Sequence, residues 1–184
     1  MVLMKKILKI IFQRFILKII NIFLSGTHFF RIKRFLLNLA GYKIGKNTKV
    51  VGPLNITGNL IVGENSWIGK ELYILGNGTV TIGNNCDLAP CITFSTGGHE
   101  IGNSKRRAGE GKIFNITVKD GCWIGTRVTI INSVTISESC VVAAGALVNK
   151  DTKKSVVVGG VPAKVIKNCR CKRKTNKVSK RKKV

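Results

Sequence analysis

The sequence predicts an all-β solenoid of short strands, preceded by one amphipathic helix and followed by a basic tail. Three observations carry this prediction. Aliphatic residues recur at every sixth position through most of the chain. The formal net charge of +24 is concentrated at the two ends. Apart from one two-residue slip, the regular spacing is interrupted over FSTGGHEIGNSKRRAGEGK (Phe94–Lys112), which holds His99, one of two histidines. The 184 residues fit one domain with extensions: a helical extension over 1–40, a solenoid over 41–167 and a tail over 168–184.

The extension comes first. Residues 1–43 carry nine Lys/Arg and no Asp/Glu. Met4–Leu24 reads as a helix: at 100° per residue Leu8, Ile11, Phe12, Phe15, Ile19 and Ile22 share one face, away from Lys5, Lys9, Gln13, Arg14 and Lys18. Arg14 and Lys18 interrupt the apolar run, whereas a spanning helix needs roughly 18 or more apolar residues in succession. The same charges argue against a signal peptide. Two readings stay open: the helix lies in an anionic leaflet, or it caps the domain or packs on a partner subunit.

The solenoid rests on the spacing. Ile44, Val50, Ile56, Val62, Ile68 and Ile74 fall six apart; after a two-residue slip come Ile82, Leu88 and Phe94. Beyond the break the ladder resumes with Val118, Ile124, Ile130, Ile136, Val142 and Val148. A period of six matches neither the 3.6 of a helix nor the 2 of an amphipathic strand. It suits rungs stacked on one another, with Gly and Asn at the corners. Three rungs per triangular coil predict about five coils, each rising about 4.8 Å.

Six cysteines contain no CxxC pair, and no secretory signal accompanies them, which points to a reducing, cytoplasmic setting. Cys86, Cys122 and Cys140 occupy a slot four beyond the rung that elsewhere holds Thr48, Ser66 and Ala146, so they read as small buried fillers. Cys169 and Cys171 fall in the tail, where two thiols are a weak metal signal. The tail has too few apolar residues to fold and carries no interleaved aromatics, so nucleic acid is disfavoured. Basic ends instead suit the inner face of a membrane.

The rungs, the TGGH loop (Thr96–His99), DGCWIGTRVTI (Asp120–Ile130), AAGALVNKD (Ala143–Asp151) and GGVPAKVIK (Gly159–Lys167) resemble the hexapeptide-repeat acyltransferases. Within them the chain is similar to bacterial sugar O-acetyltransferases of the maltose/galactoside and polysaccharide-modifying kinds, over roughly 36–167. The resemblance implies a left-handed parallel β-helix, a homotrimer with sites between subunits, and acetyl-CoA as acyl donor with no metal.

It also implies roles for particular residues. His99 matches the general base, a task imidazole suits near neutral pH. Gly125 and Thr126 match a point where the pantetheine passes, and Ala144 and Gly145 a strand edge that binds its amides. Asn149, Lys150, Lys164 and Lys167 match positions near the nucleotide phosphates. Trp123 matches an aromatic beside the cleft; Trp67 holds the equivalent slot in an earlier coil, where covering a solenoid face is an equal reading. Glu100 orients the imidazole or meets the acceptor. Where the maltose/galactoside enzymes place an acceptor-binding Asn, this chain has Gly69, with Glu71 two residues on. That departure shifts the expected acceptor to a polysaccharide, O-antigen or capsule precursor.

The basic run Lys105, Arg106, Arg107 reads either as a clamp on an anionic acceptor or as a solvated loop tip. His28 reads as structural. Other functions stay in view: N-acetylation of an amino-sugar nucleotide or antibiotic, and a non-catalytic solenoid that binds a membrane or partner. A β-helical carbonic anhydrase is disfavoured, because its zinc needs three histidines and the chain has two.

Overall fold

The computed structural model describes residues 2–169, and Arg170–Val184, most of the expected basic tail, lies outside the described residues. Three parallel sheets form the faces of a prism. The first contains β1 (Lys43–Ile44), β4 (Asn59–Val62), β7 (Thr79–Ile82), β12 (Ile116–Val118) and β15 (Thr135–Ile136). The second contains β2 (Lys49–Val50), β5 (Trp67–Ile68), β8 (Asp87–Leu88), β13 (Trp123–Ile124), β16 (Val141–Val142) and β18 (Val156–Gly159), with β19 (Lys164–Asn168) at its edge. The third contains β3 (Leu54–Ile56), β6 (Leu72–Leu75), β9 (Thr93–Ser95), β14 (Thr129–Ile131) and β17 (Leu147–Val148).

The sixth-position aliphatics produce this shape directly. In a short strand successive side chains point to opposite faces, so one residue of each rung enters the prism. Val50, Ile68, Ile74, Phe94, Val118, Ile124, Ile130, Ile136 and Val142 are fully buried in one continuous core. The turns meet in columns at the corners. Between the first and second sheets Asn47, Asn65, Asn85, Gly121 and Ser139 adopt positive φ, the conformation that Gly and Asn tolerate at least cost. Their amides bond the coil below, as in Asn65 N–H to Lys46 O and Gly121 N–H to Asn84 O, both 2.9 Å. The two-residue slip before Ile82 is a longer turn through Gly76, at φ 114°.

The stack has five complete coils and begins a sixth. The five complete coils match the expected count; the sixth begins where the segment after Val148 leaves the six-residue phase and β18 pairs with β16. β19 then runs antiparallel to β18 and closes that edge of the sheet.

Two helices precede the solenoid, where the sequence pointed to one: α1 (Val2–Phe23) and α2 (Phe30–Leu39). Ile16, Leu17 and Ile20 of α1, with Leu37 and Ala40 beside them, join the same core as Ile44, Val50 and Leu54. They cap the first coil, whose apolar interior would otherwise meet water. The face of α1 that packs is therefore not the one read from the wheel: Leu8, Ile11, Phe12, Phe15 and Ile22 stay exposed. Lys33 is buried, donates from Nζ to Gly26 O at 2.7 Å, and lies 4.9 Å from the Phe30 ring centroid. Burial pushes its pKa down. Among the described residues no helix is long and apolar enough to cross a membrane.

Candidate active site

The break in the repeat is an antiparallel arm, β10 (Gly97–Ile101) and β11 (Ala108–Ile113), which leaves the third sheet after β9 and returns to the first at β12. Its root is fixed by buried Thr96, whose amide donates to Leu75 O at 2.7 Å and whose carbonyl accepts from Phe114 N–H at 2.9 Å. The Phe114 ring lies against Gly98, where an added Cβ would come within 2.7 Å of it. One residue on, exposed His99 faces Gly111 across the ladder, and its Nδ1 lies 3.0 Å from the carbonyl of Gly109. A carbonyl oxygen only accepts, so neutral His99 carries its proton on Nδ1 and presents an unprotonated Nε2.

Glu100 pairs with Lys112 across the arm, so the imidazole is held by a backbone carbonyl and not by this carboxylate. Lys105, Arg106 and Arg107 form the tip. Asn103 Oδ1 accepts from the amides of Lys105 (3.0 Å) and Arg106 (3.2 Å), Arg107 Nη1 donates back to Gly102 O at 3.4 Å, and all three basic residues are exposed.

The turns between the second and third sheets form another column. Glu71 N–H bonds Pro53 O, Cys91 N–H bonds Lys70 O, Arg127 N–H bonds Pro90 O and Gly145 N–H bonds Thr126 O. This ladder aligns Glu71, Gly125, Thr126, Ala144 and Gly145 on one edge of the prism. Gly125, Thr126, Ala144 and Trp123 line a groove of about 370 Å³ with Ala89, Val141, Val142 and Ala143. A Cβ on Gly125 would meet the Ala144 amide nitrogen at 2.6 Å, so glycine is required for the coils to stack there, while a Cβ on Gly145 would meet nothing. The walls are small and the Thr126 hydroxyl is tied to Pro90 O at 2.8 Å. A slot of this kind fits a thin, flexible, amide-bearing arm such as pantetheine.

Lys164 and Lys167 stand on β19 above the groove, and Lys167 lies in the cross-strand row that runs through Val157 and Val141 to Trp123. Leu147 N–H to Gly160 O (3.0 Å) and Ala163 N–H to Leu147 O (2.8 Å) bring the root of β19 to β17, just before Asn149 and Lys150. Trp67 shares the Trp123 row but sits two coils away, with Asp87 between, and packs edge-on against Phe30 at 5.7 Å. The structure does not bring the two tryptophans together.

Glu71 opens onto a different hollow, about 520 Å³, between α1 and the third sheet, where Arg14, Lys18, Asn21 and Tyr73 also line the wall. Its Oε2 accepts from the Cys91 thiol at 2.9 Å, which holds that thiol above its usual pKa. Ala89, Pro90, Ala143 and Gly109 were not singled out from sequence. The first three follow rungs Leu88 and Val142 in the phase of Gly125–Thr126, so the repeat could have found them; Gly109 emerges only from the pairing of the arm.

Fold and site together define a hexapeptide-repeat solenoid with a histidine arm at one corner and a narrow, small-walled groove at the next. No family model matches the chain. It is 38% identical over 126 residues to galactoside O-acetyltransferase of Escherichia coli K12, an alignment covering 67% of this chain and 62% of that protein. The putative colanic acid biosynthesis acetyltransferase WcaF of the same organism is 32% identical over 143 residues, 75% of each chain. Among solved structures, a hexapeptide-repeat acetyltransferase of Vibrio cholerae complexed with acetyl-CoA superposes with a TM-score of 0.78 at 26% identity, covering 89% of this chain and 88% of that one. The chain belongs to the hexapeptide-repeat acetyltransferases.

Proposed function

We propose that the protein transfers the acetyl group of acetyl-CoA to a sugar hydroxyl, with a polysaccharide, O-antigen or capsule precursor as acceptor. The observation that carries this reading is the 3.0 Å hydrogen bond from His99 Nδ1 to Gly109 O on an arm set outside the packed rungs. It leaves Nε2 to take the proton of an acceptor hydroxyl as the oxygen attacks. The same nitrogen then holds a proton for the departing thiolate. Acetyl-CoA supplies the activated acyl group; Gly125, Thr126, Ala144 and Gly145 pass its pantetheine, and Asn149, Lys150, Lys164 and Lys167 face its phosphates. Trp123 walls the cleft.

Glu71 faces the acceptor from the hollow it shares with Arg14 and Lys18, whose charges suit a glycan bearing phosphate or carboxylate. Glu100, paired with Lys112, and Trp67, packed against Phe30, complete the set of acceptor-side residues in this reading.

The arm springs from the corner between the third and first sheets, and the groove follows the corner between the second and third. Within one chain they occupy opposite edges of the third sheet. A homotrimer that sets each arm against the next chain's groove completes the site, and Ile101, 88% exposed on the arm, supplies an apolar contact for it. Galactoside O-acetyltransferase and WcaF support the sugar acceptor by their own names. A cytoplasmic setting follows from an acetyl-CoA donor and from the free thiols of Cys86, Cys122 and Cys140.

The test is His99→Ala assayed with labelled acetyl-CoA across nucleotide sugars and lipid-linked glycans. Transfer is expected to fall about 10²–10⁴-fold, while a thermal-shift titration still reports CoA binding. Full activity in this variant would overturn the assignment.

A further inference from the structure

α1 is apolar on more than one side, and the solenoid buries only one stripe of it. Ile16, Leu17 and Ile20 enter the core, whereas Leu8, Ile11, Phe15 and Ile22 point away from it, Ile11 and Phe15 each 58% exposed. On the 100° wheel these four fall within an arc of about 60°. α2 repeats the arrangement: Lys33 and Leu37 are buried, while Ile32, Phe35 and Leu39 face outward, Phe35 at 65% exposure. Both helices pack on the first coil, α1 against β3 and α2 against β1 and β2. Rows of exposed aromatic and aliphatic side chains mark a surface that another phase or partner covers.

The charges say which. Exposed Arg14 and Lys18 border the free stripe of α1. Arg31 and Arg34 of α2 join Lys46 and Lys49 of the first coil around a hollow of about 460 Å³ beside Phe30. Residues 1–43 contain no Asp or Glu. A second copy presenting the same face would set cation against cation, with no carboxylate in either helix to pair them. An anionic leaflet offers an apolar interior for the stripes and negative headgroups for the cations, and Lys and Arg stems reach from one to the other. No described helix can span the bilayer, so the contact lies in its surface.

We infer that α1 and α2 form a docking surface for an anionic lipid leaflet. The outward stripes enter the headgroup–acyl boundary, and Arg31, Arg34, Lys46 and Lys49 receive a phosphate-bearing headgroup. Vesicle binding reads this surface directly, without an assay of acetyl transfer.

The experiment is co-sedimentation of the full chain with phosphatidylcholine vesicles, and with vesicles containing phosphatidylglycerol, at about 0.1 M and about 0.5 M salt. The parent protein is expected to sediment with the anionic vesicles and only weakly with the neutral ones. Ile11→Asp/Phe15→Asp should weaken anionic-vesicle binding at least tenfold without lowering the melting temperature, since both side chains already face water. Phe35→Asp provides an independent variant on α2. Arg31→Glu/Arg34→Glu should lose the preference for phosphatidylglycerol. Failure of the parent to bind anionic vesicles overturns the inference. So does undiminished binding by the aspartate variants, which would leave the attraction to the basic tail alone. A fall in oligomer mass by light scattering in Ile11→Asp/Phe15→Asp also overturns it, because a second copy would then be the occupant.

Discussion

At the scale of single residues, the slot four beyond each first-sheet rung shows how little freedom a stacked coil leaves. Thr48 Oγ1 donates to Gly63 O at 2.6 Å, Ser66 Oγ to Gly83 O at 3.0 Å, Cys86 Sγ to Lys119 O at 3.2 Å, Cys122 Sγ to Ser137 O at 3.1 Å and Cys140 Sγ to Lys153 O at 2.9 Å. Each satisfies a corner carbonyl that the strand ladder cannot reach. Composition marked the slot as small and buried, but its donor role needs the coil above to be in place. Asp120 is a second such residue. The Asn84 amide hydrogens bond its carboxylate from N at 2.9 Å and from Nδ2 at 3.2 Å, and these donors hold its pKa below the usual carboxylate range. A depressed folded pKa adds stability above the unfolded value of about 3.9 and loses it as pH falls through the folded one. The urea midpoint of the parent should therefore drop on acidification below about pH 4, and Asp120→Asn should show a shallower acid limb in the same titration.

At the scale of elements, the arm is anchored by two glycines of different kinds. A Cβ on Gly98 would meet the end of the Phe114 ring, which can swing aside. A Cβ on Gly78 would run into the Phe114 carbonyl oxygen, which cannot move without opening the corner. Gly78→Ala is expected to cost about 1–3 kcal/mol, as overpacking does, measured by urea unfolding. Gly98→Ala should leave stability nearly unchanged and lower kcat by shifting His99. Equal loss of stability in the two variants would contradict this division. The existence of the arm was legible because the period stopped at Phe94 and resumed at Val118. Its antiparallel pairing was not, since AGEGK has no strand-like alternation; that pairing is what places Gly109 O beside His99.

At the scale of the whole molecule, the prism needs an end that does not expose its core, and α1 and α2 supply it. Fully buried Ile20→Ala should destabilise the protein by about 2–5 kcal/mol, whereas exposed Ile11→Ala should stay within about 0.5 kcal/mol in the same denaturation series. The sequence by itself determined the solenoid, its rungs, its break and the histidine in that break, because a six-residue period is a local property that each coil repeats. Tertiary structure alone decided which stripe of α1 is buried: Ile16, Leu17 and Ile20 and the free stripe are both apolar, and only the position of the first coil distinguishes them. It also decided which small residues form a groove. Ala89, Gly125 and Ala144 are scattered along the chain and meet only because each coil returns the chain to the same corner, about 4.8 Å higher.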